Sequence, residues 1–161
     1  MSYKKVKYFL CSLGAKYITE DILKELKIDK IENIYFVKEK QISDKIKKCD
    51  YKQNLIDIEK ELEYKYSLIY EEIEKTLDTT PEKLITAFGI PRVNKSIAKS
   101  ICKYFKDKKP EEILGNFFDK SINEFRKISG IGPITAKNII KYRKRYEILY
   151  YFLSNLGLGL M

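Results

Sequence analysis

The sequence predicts an all-α protein in which short helices are joined in pairs by glycine turns. Three observations support this. Charged residues and Leu, Ile or Tyr recur at three- and four-residue spacing, the seven glycines fall mostly between such segments, and strand-like alternation is nearly absent. The periodic segments are 19–26, 53–76, 81–88, 95–105, 121–128 and 134–153. We interpret the ambiguous apolar run 34–37 as helix or turn.

Turn chemistry marks the beginning of two helices. Thr80 precedes Pro81 and Glu82, a pattern typical of a helix cap followed by proline at the first helical position. The Lys-Pro-Glu run at 109–111 predicts a second beginning of the same kind.

The segment 128–137 (ISGIGPITAK) predicts a helix, a glycine hairpin and a second helix. Gly130 and Gly132 allow the backbone to approach a partner closely, and Pro133 suits a first helical turn. Amides of the hairpin and of the helix N-terminus then point at one spot, which predicts an anion site suited to phosphate. A basic run follows: Lys137, Lys141, Arg143, Lys144 and Arg145. Residues 141, 144 and 145 share one helix face and residue 143 points elsewhere, so part of the run is a solvated face.

The chain repeats this pattern. Residues 88–99 also combine a glycine-led hairpin with an Ala-Lys pair in the following helix. Residues 11–16, with one glycine, are a third candidate. A further candidate would fall at 61–65. This segment has no glycine and is acidic, so its expected role is packing.

Charge is distributed unevenly along the 161 residues. The net charge is +9, with +5 in residues 1–52, −5 in residues 53–80 and +9 in residues 81–161. This distribution predicts a polyanionic partner steered to the second half. The total charge alone is also compatible with a soluble protein from a lysine-rich genome.

Cysteine usage and hydropathy narrow the class of protein. Cys11, Cys49 and Cys102 are far apart and the chain has no histidine, which disfavours a zinc site. We expect reduced, partly buried cysteines in a cytosolic protein. No signal peptide or membrane-spanning apolar run is present, so no membrane partner is expected.

Four stretches together resemble a known family. They are Leu13-Gly14-Ala15-Lys16 followed by Ile22-Leu23, Thr80-Pro81 with the LITAFGI run at 84–90, Gly130-Ile131-Gly132-Pro133 with Ala136, and Leu153-Ser154-Asn155-Leu156-Gly157-Leu158. Repeated units of this kind are helix-hairpin-helix (HhH) motifs. The chain resembles the HhH domain of bacterial NAD-dependent DNA ligases, with the pieces correctly spaced over most of its length.

The resemblance implies an all-α fold of tandem HhH motifs arranged as two (HhH)2 units. Residues 1–80 would form the first unit, with a degenerate second hairpin, and residues 81–161 the second, basic unit. Paired hairpins in such domains grip the two strands of duplex DNA across the minor groove, through phosphates and without regard to sequence. Counted along the chain, the candidate hairpins are the first at 11–16, the second at 61–65, the third at 88–99 and the fourth at 128–137. The third and fourth are the best equipped for this in the present chain.

The resemblance also implies candidate DNA-binding residues, with no catalytic or metal-binding residue. They are Gly130, Ile131, Gly132, Thr135 and Lys137 in the fourth hairpin, Gly89, Arg92, Asn94, Lys95 and Lys99 in the third, and Gly14 and Lys16 in the first. Ser12 and Asn94 stand where the family has glycine. Because Asn tolerates a left-handed backbone, Asn94 is expected to serve in place of that glycine.

Departures from the family limit the expected activity. The chain has no KxDG adenylation motif, no four-cysteine zinc module and no room for a nucleotide-binding domain. We therefore expect a DNA-binding part of a replication or repair ligase system that is not catalytic alone. NAD would act only through a separate catalytic domain. The expected partners are duplex DNA, with nicked duplex as a candidate, and a catalytic ligase subunit, in the cytoplasm at the nucleoid.

Two other classes of function stay open. The first is a helical protein–protein adaptor or the docking subunit of a split DNA-processing enzyme, suggested by the acidic segment 53–80. The second is a nuclease subunit, which no acidic cluster in the sequence supports. The many tyrosines lie mostly at helical spacing, so core packing is favoured over stacking on single-stranded bases.

Overall fold

The protein is all-α, as predicted. The computed structural model describes residues 2–48, 55–106 and 108–161. These contain nine α-helices, one 3₁₀-helix and two strands of two residues each. The helices are α1 Ser2–Ser12, α2 Glu20–Glu25, the 3₁₀-helix Ile31–Phe36, α3 Val37–Lys48, α4 Leu55–Lys75, α5 Pro81–Ala87, α6 Lys95–Tyr104, α7 Pro110–Asp119, α8 Ile122–Arg126 and α9 Pro133–Asn155. The strands are β1 Asp78–Thr79 and β2 Gly159–Leu160, which pair in parallel.

The chain divides into two compact units, Met1–Thr76 and Leu77–Met161. The division lies shortly before the predicted boundary at residue 80, because β1 pairs with β2 near the C-terminus and so belongs to the second unit. That pairing was not visible in the sequence, since each strand has only two residues. The roles assigned above to the two units stay predictions.

In the first unit, α4 is an amphipathic helix that packs against α3. Its buried stripe comprises Ile58, Leu62, Tyr66 and Ile73. Lys38 pairs with Glu63 and Lys45 lies 2.6 Å from Glu61, so acidic side chains of α4 neutralise the basic α3. The prediction of a hairpin at 61–65 is wrong. The segment lies inside α4, because an uninterrupted apolar stripe without glycine or proline favours a continuous helix.

In the second unit, an aromatic core joins α5, α7, α8 and α9. Phe88, at the end of α5, is fully buried. Its ring stacks on Tyr146 of α9 at 4.8 Å between centroids and lies about 6 Å from Phe117 and Phe118 of α7. Phe125 of α8 is also fully buried and meets Phe117 edge-on. This core fixes the helices that flank the two hairpins of the unit.

The predicted helix beginnings are confirmed. The Thr80 hydroxyl accepts a hydrogen bond from the amide of Lys83, with Pro81 in the first position of α5, and Pro110 begins α7. Periodic segments match α2, α4, α5, α6, α8 and α9 to within a few residues at each end, although residues 53 and 54 lie outside the described residues. The ambiguous run 34–37 ends the 3₁₀-helix and begins α3.

The two described cysteines differ in exposure. Cys11 is exposed, contrary to the expected partial burial, and Cys102 is half-buried. Burial raises the pKa of the Cys102 thiol to about 12. Cys49 lies outside the described residues. None of the described helices combines the length and the apolar stretch required to cross a bilayer.

Replacing Gly115 with alanine is expected to stabilise the second unit by about 0.5–1 kcal/mol, because glycine inside a helix is entropically unfavourable. Gly115 is exposed within α7, and a Cβ there would meet no atom within 4 Å. Urea unfolding followed by circular dichroism measures the change. A loss of stability would show that the glycine has a packing role that the structure does not reveal.

Candidate nucleic-acid interface

The third and fourth hairpins have matching backbone conformations at their left-handed tip residues and at the helix caps that follow. The third spans Phe88–Asn94 between α5 and α6, and the fourth spans Lys127–Gly132 between α8 and α9. When Ala98 is aligned with Ala136, Arg92 with φ 71° coincides with Gly130 with φ 86°. Gly89, with φ 66°, is a second left-handed residue of the third hairpin, and the equivalent Lys127 has φ −75°. The helix caps coincide as well, with φ −86° and ψ −175° at Asn94 and φ −91° and ψ −175° at Gly132.

Packing and hydrogen bonds follow the same alignment. Buried residues occupy equivalent positions in the two hairpins. The pairs are Ile90 with Ile128, Val93 with Ile131, Ala98 with Ala136, and Ile101 with Ile139. The amide of Val93 donates to the carbonyl of Ile90 at 2.9 Å, and the amide of Ile131 donates to that of Ile128 at 3.1 Å. The sequence-predicted repeat is thus an equivalence of backbone and core.

The two hairpins also contact one another. The Asn138 amide of α9 donates to the carbonyl of Pro91 at 2.9 Å. A Cβ on Gly130 would lie only 3.3 Å from Cδ1 of Ile97, so the hairpins approach closely at that point. Both hairpin tips therefore belong to one surface of the unit.

A hydrogen bond between α6 and α8 ties the helices next to the hairpins together. The Tyr104 hydroxyl donates to Glu124 at 2.7 Å, and Lys127 donates to the same carboxylate at 3.3 Å. These two hydrogen bonds lower the pKa of the Glu124 carboxyl, and the bond to Glu124 raises the pKa of Tyr104. Glu124 is thus engaged within the protein, although it lies near the hairpins.

The two glycines of the fourth hairpin have different roles. Gly130 is needed by the fold itself, because its φ of 86° is unfavourable for other residues and Ile97 fills the space beside it. Gly132 has a conformation that any residue adopts, and a Cβ there would meet no atom within 4 Å. Nothing within the described chain requires glycine at position 132, so its contact with a ligand stays a prediction.

Exposed cations surround this surface. Arg92, Lys95, Lys99 and Lys137 are exposed, and none forms an ion pair with a residue that the structure describes. Lys99 and Lys137 occupy equivalent positions. Arg143 behaves differently: its guanidinium donates to the carbonyls of Phe117 and Lys120 and so caps the end of α7. Burial lowers the pKa of Arg143. Its role in packing agrees with the expectation that it points away from the face shared by residues 141, 144 and 145.

The conformation expected of Asn94 is wrong. Asn94 has an extended backbone, and its side chain accepts a hydrogen bond from the amide of Ile97 at 3.0 Å, which caps α6. The left-handed residues of this hairpin are Gly89 and Arg92, and arginine rarely takes this conformation. Alignment of Ala98 with Ala136 contained the signal, since it places Arg92 opposite Gly130. Gly89 lies at the end of α5 rather than at the hairpin tip.

The amino-acid sequence is similar to those of several DNA ligases. Over 139 residues the chain is 30% identical to the DNA ligase of Ruminiclostridium cellulolyticum, a match that covers 86% of the chain and 20% of the ligase. The chain is thus similar to one segment of DNA ligases. It is also 41% identical over 74 residues to the DNA ligase of Fervidobacterium nodosum, and 28% identical over 140 residues to that of Clostridium perfringens. These matches cover 46% and 87% of the chain, and 10% and 18% of the two ligases.

The relationship concerns only part of those enzymes. The chain spans about one fifth of the length of the ligase relatives that it matches over most of its own length. No protein-family model matches the chain. Within the described residues, no group of three or more Cys, Asp or Glu is placed to hold a metal ion.

The first hairpin differs from the other two. In the fourth hairpin Gly132 caps α9 directly. In the first hairpin Gly14 lies well before Thr19, which is the residue that caps α2. The amides of Lys16 and Tyr17, between these positions, donate to the two carboxylate oxygens of Glu72 at 2.6 and 3.0 Å. An anion from the chain itself thus occupies these amides. Contact of Gly14 and Lys16 with DNA stays a prediction.

Replacing Glu72 with alanine is expected to destabilise the first unit by about 1–3 kcal/mol, because two charge-assisted hydrogen bonds to backbone amides are lost. The neighbouring variant Glu71→Ala is a matched control. Glu71 forms only an exposed ion pair with Lys75 at 3.5 Å, so its loss should change stability by less than about 1 kcal/mol. Urea unfolding and amide hydrogen exchange in the first unit measure both effects. Equal effects of the two variants would contradict a special role for Glu72.

Proposed function

We propose that the chain binds duplex DNA through backbone phosphates, without regard to sequence, as the DNA-gripping part of a ligase system. The observation that supports this most directly is the pair of equivalent hairpins at one surface of the second unit. Gly132 lies open at the N-terminus of α9, and exposed cations flank both tips. Helix N-terminal amides and cations are the groups that hold phosphate in proteins.

The relationship to DNA ligases makes duplex DNA the natural polyanion. In this proposal the two hairpins make contacts of the HhH type with the phosphates of the two DNA strands, across the minor groove. Joining of strands, with NAD as its cofactor, belongs to a separate catalytic part. A place in the cytoplasm, at the nucleoid, follows from this use in replication or repair.

Fluorescence anisotropy of the full chain tests the proposal. Labelled nicked duplex, intact duplex and single strand are titrated at two salt concentrations. We expect binding to both duplexes, indifference to their sequence and a steep loss of affinity with salt, because neutralised phosphates release condensed counterions. Absence of duplex binding at low salt would reject the proposal and turn attention to protein partners.

A second candidate function is docking onto the catalytic part of a ligase. Tyr64 and Leu68 lie one turn apart on α4, and their side chains are 95% and 72% exposed. The ligase relatives extend far beyond the matched segment, so their other domains are the natural partners. Co-expression with a chain that bears the KxDG motif tests docking. A retained complex that is lost on Tyr64→Ser with Leu68→Ser would support it, and failure to co-purify would count against it.

A further inference from the structure

We infer that the two hairpins of the second unit hold DNA by different chemistry. The fourth hairpin uses backbone amides and a hydroxyl, whereas the third uses cationic side chains. This inference rests on the proposed function and assigns the separate roles of Gly132, Thr135, Arg92 and Lys95 within it. The equivalent backbones of the two hairpins make their side chains directly comparable.

The helix caps differ in what they leave free. In the third hairpin the Asn94 side chain accepts the hydrogen bond of the Ile97 amide and so uses it inside the protein. In the fourth hairpin Gly132 has no side chain, and no side chain caps α9. The amide of Thr135, which is equivalent to that of Ile97, is therefore left without a side-chain acceptor. A phosphate oxygen can take the place that the Asn94 amide oxygen occupies in the third hairpin.

Thr135 provides an independent observation at the same place. Thr135 is largely buried, with 8% of the residue exposed, and its hydroxyl forms no hydrogen bond with the residues that the structure describes. The hydroxyl is not sealed from solvent, because among described residues only Thr79 has a sealed side-chain oxygen without a partner. The equivalent residue in the third hairpin is the apolar Ile97. At this position the fourth hairpin thus has a hydroxyl donor where the third has an apolar side chain.

At the positions next to the helix caps, charge is distributed in the opposite way. Arg92 and Lys95 of the third hairpin are equivalent to Gly130 and Pro133 of the fourth, so only the third hairpin has cations there. The cations of the fourth hairpin, Arg126 and Lys127, lie at its start, where the third has Phe88 and Gly89, and Lys127 pairs with Glu124. Arg92 keeps a left-handed backbone in which Gly130 is unstrained. A long cationic side chain held in an unfavourable conformation at an exposed tip is typical of a functional position.

The two kinds of contact respond differently to salt. A cation that neutralises a phosphate releases a counterion, so each such contact adds about 0.9 to the slope of log affinity against log salt. A neutral amide or hydroxyl contact strengthens binding without a comparable contribution to the slope. Arg92 and Lys95 should therefore account for more of the salt dependence than Gly132 and Thr135.

The test measures affinity for labelled intact duplex at several salt concentrations from about 50 to 200 mM. Three variants of the full chain are compared: Arg92→Gly, Gly132→Asn and Asn94→Gly. Arg92→Gly is expected to weaken binding and to lower the slope by about one, as removal of a phosphate contact does. Glycine suits φ 71°, so this variant should fold. Lys75→Gln, on the acidic α4, is the control for loss of a charge and should leave the slope unchanged.

The cap variants should change affinity at constant slope. Gly132→Asn introduces a side chain that caps the helix amide, and weaker binding is expected. Asn94→Gly frees the amide of Ile97, and tighter binding is expected. If Gly132→Asn lowers the slope as much as Arg92→Gly, or if Arg92→Gly leaves it unchanged, the division between the hairpins is overturned while duplex binding by the unmodified chain still supports the proposed function. If the unmodified chain binds no duplex, the proposed function fails, and this inference fails with it.

Discussion

Replacing Gly132 with valine is expected to weaken duplex binding about tenfold or more while the protein stays folded. The expectation of a folded variant follows from the backbone at this position. Gly132 has φ −91° and ψ −175°, an extended conformation open to valine, and a Cβ would meet no atom within 4 Å. The variant therefore separates the needs of the fold from the needs of a ligand.

The loss of binding follows from where the new side chain would stand. Gly132 is the cap of α9, so its Cβ and methyl groups would lie beside the amides proposed to meet a phosphate. A phosphate kept away from these amides loses charge-assisted hydrogen bonds, each worth about 1.5–3 kcal/mol. Anisotropy with intact duplex measures the affinity, and circular dichroism shows whether the variant is folded.

Two glycine variants serve as controls. Gly115→Ala lies in α7 and should leave DNA affinity unchanged. Gly130→Ala should reduce stability instead, because its φ of 86° is strained for alanine and Cδ1 of Ile97 lies 3.3 Å from the new Cβ. If folded Gly132→Val binds duplex DNA with unchanged affinity, the proposed interface is wrong.

Sequence reasoning predicted those features that depend on local pattern. Helices α4, α5, α6 and α9 follow from apolar periodicity together with the cap and proline signals at Thr80 and Pro133. The repeated hairpins were recognisable because an Ala-Lys pair recurs at matching positions, each time after a turn that contains glycine. Helix α4 shows the limit of analogy, because the second hairpin was expected inside a segment whose own periodicity favours a helix.

The remaining features depend on contacts between residues far apart in the chain. Glu72 occupies the amides of Lys16 and Tyr17 across more than fifty residues, and no local pattern indicates that pairing. The left-handed conformation of Arg92 likewise comes from the surrounding hairpin, which imposes the backbone of Gly130 on a different residue type. Asn94 is an exception, because its outcome is local. Asparagine was expected to take the left-handed conformation, but it also favours helix caps, and Asn94 accepts a hydrogen bond from the amide of Ile97 three residues later.

Replacing Phe88 with alanine is expected to destabilise the second unit by about 3–5 kcal/mol, the usual loss when a buried aromatic ring is truncated. Phe88 is fully buried among Phe117, Phe118 and Tyr146. The surrounding rings belong to helices that are themselves fixed, so the cavity would collapse only in part. Because whole domains are stable by about 5–15 kcal/mol, this loss is a large share of the total.

The same contact gives Phe88 a role in the interface. Phe88 is the first residue of the third hairpin, while Tyr146 belongs to the helix that follows the fourth, so we expect their stacked rings to fix the position of one hairpin against the other. Phe88→Ala should therefore reduce both stability and DNA affinity. Phe88→Leu, which keeps much of the volume, should do so less. Ile148→Ala on the exposed side of α9 is the control, with little expected change. Urea unfolding, hydrogen exchange and anisotropy measure these effects, and a Phe88→Ala variant as stable as the control would show that the aromatic core does not position the hairpins.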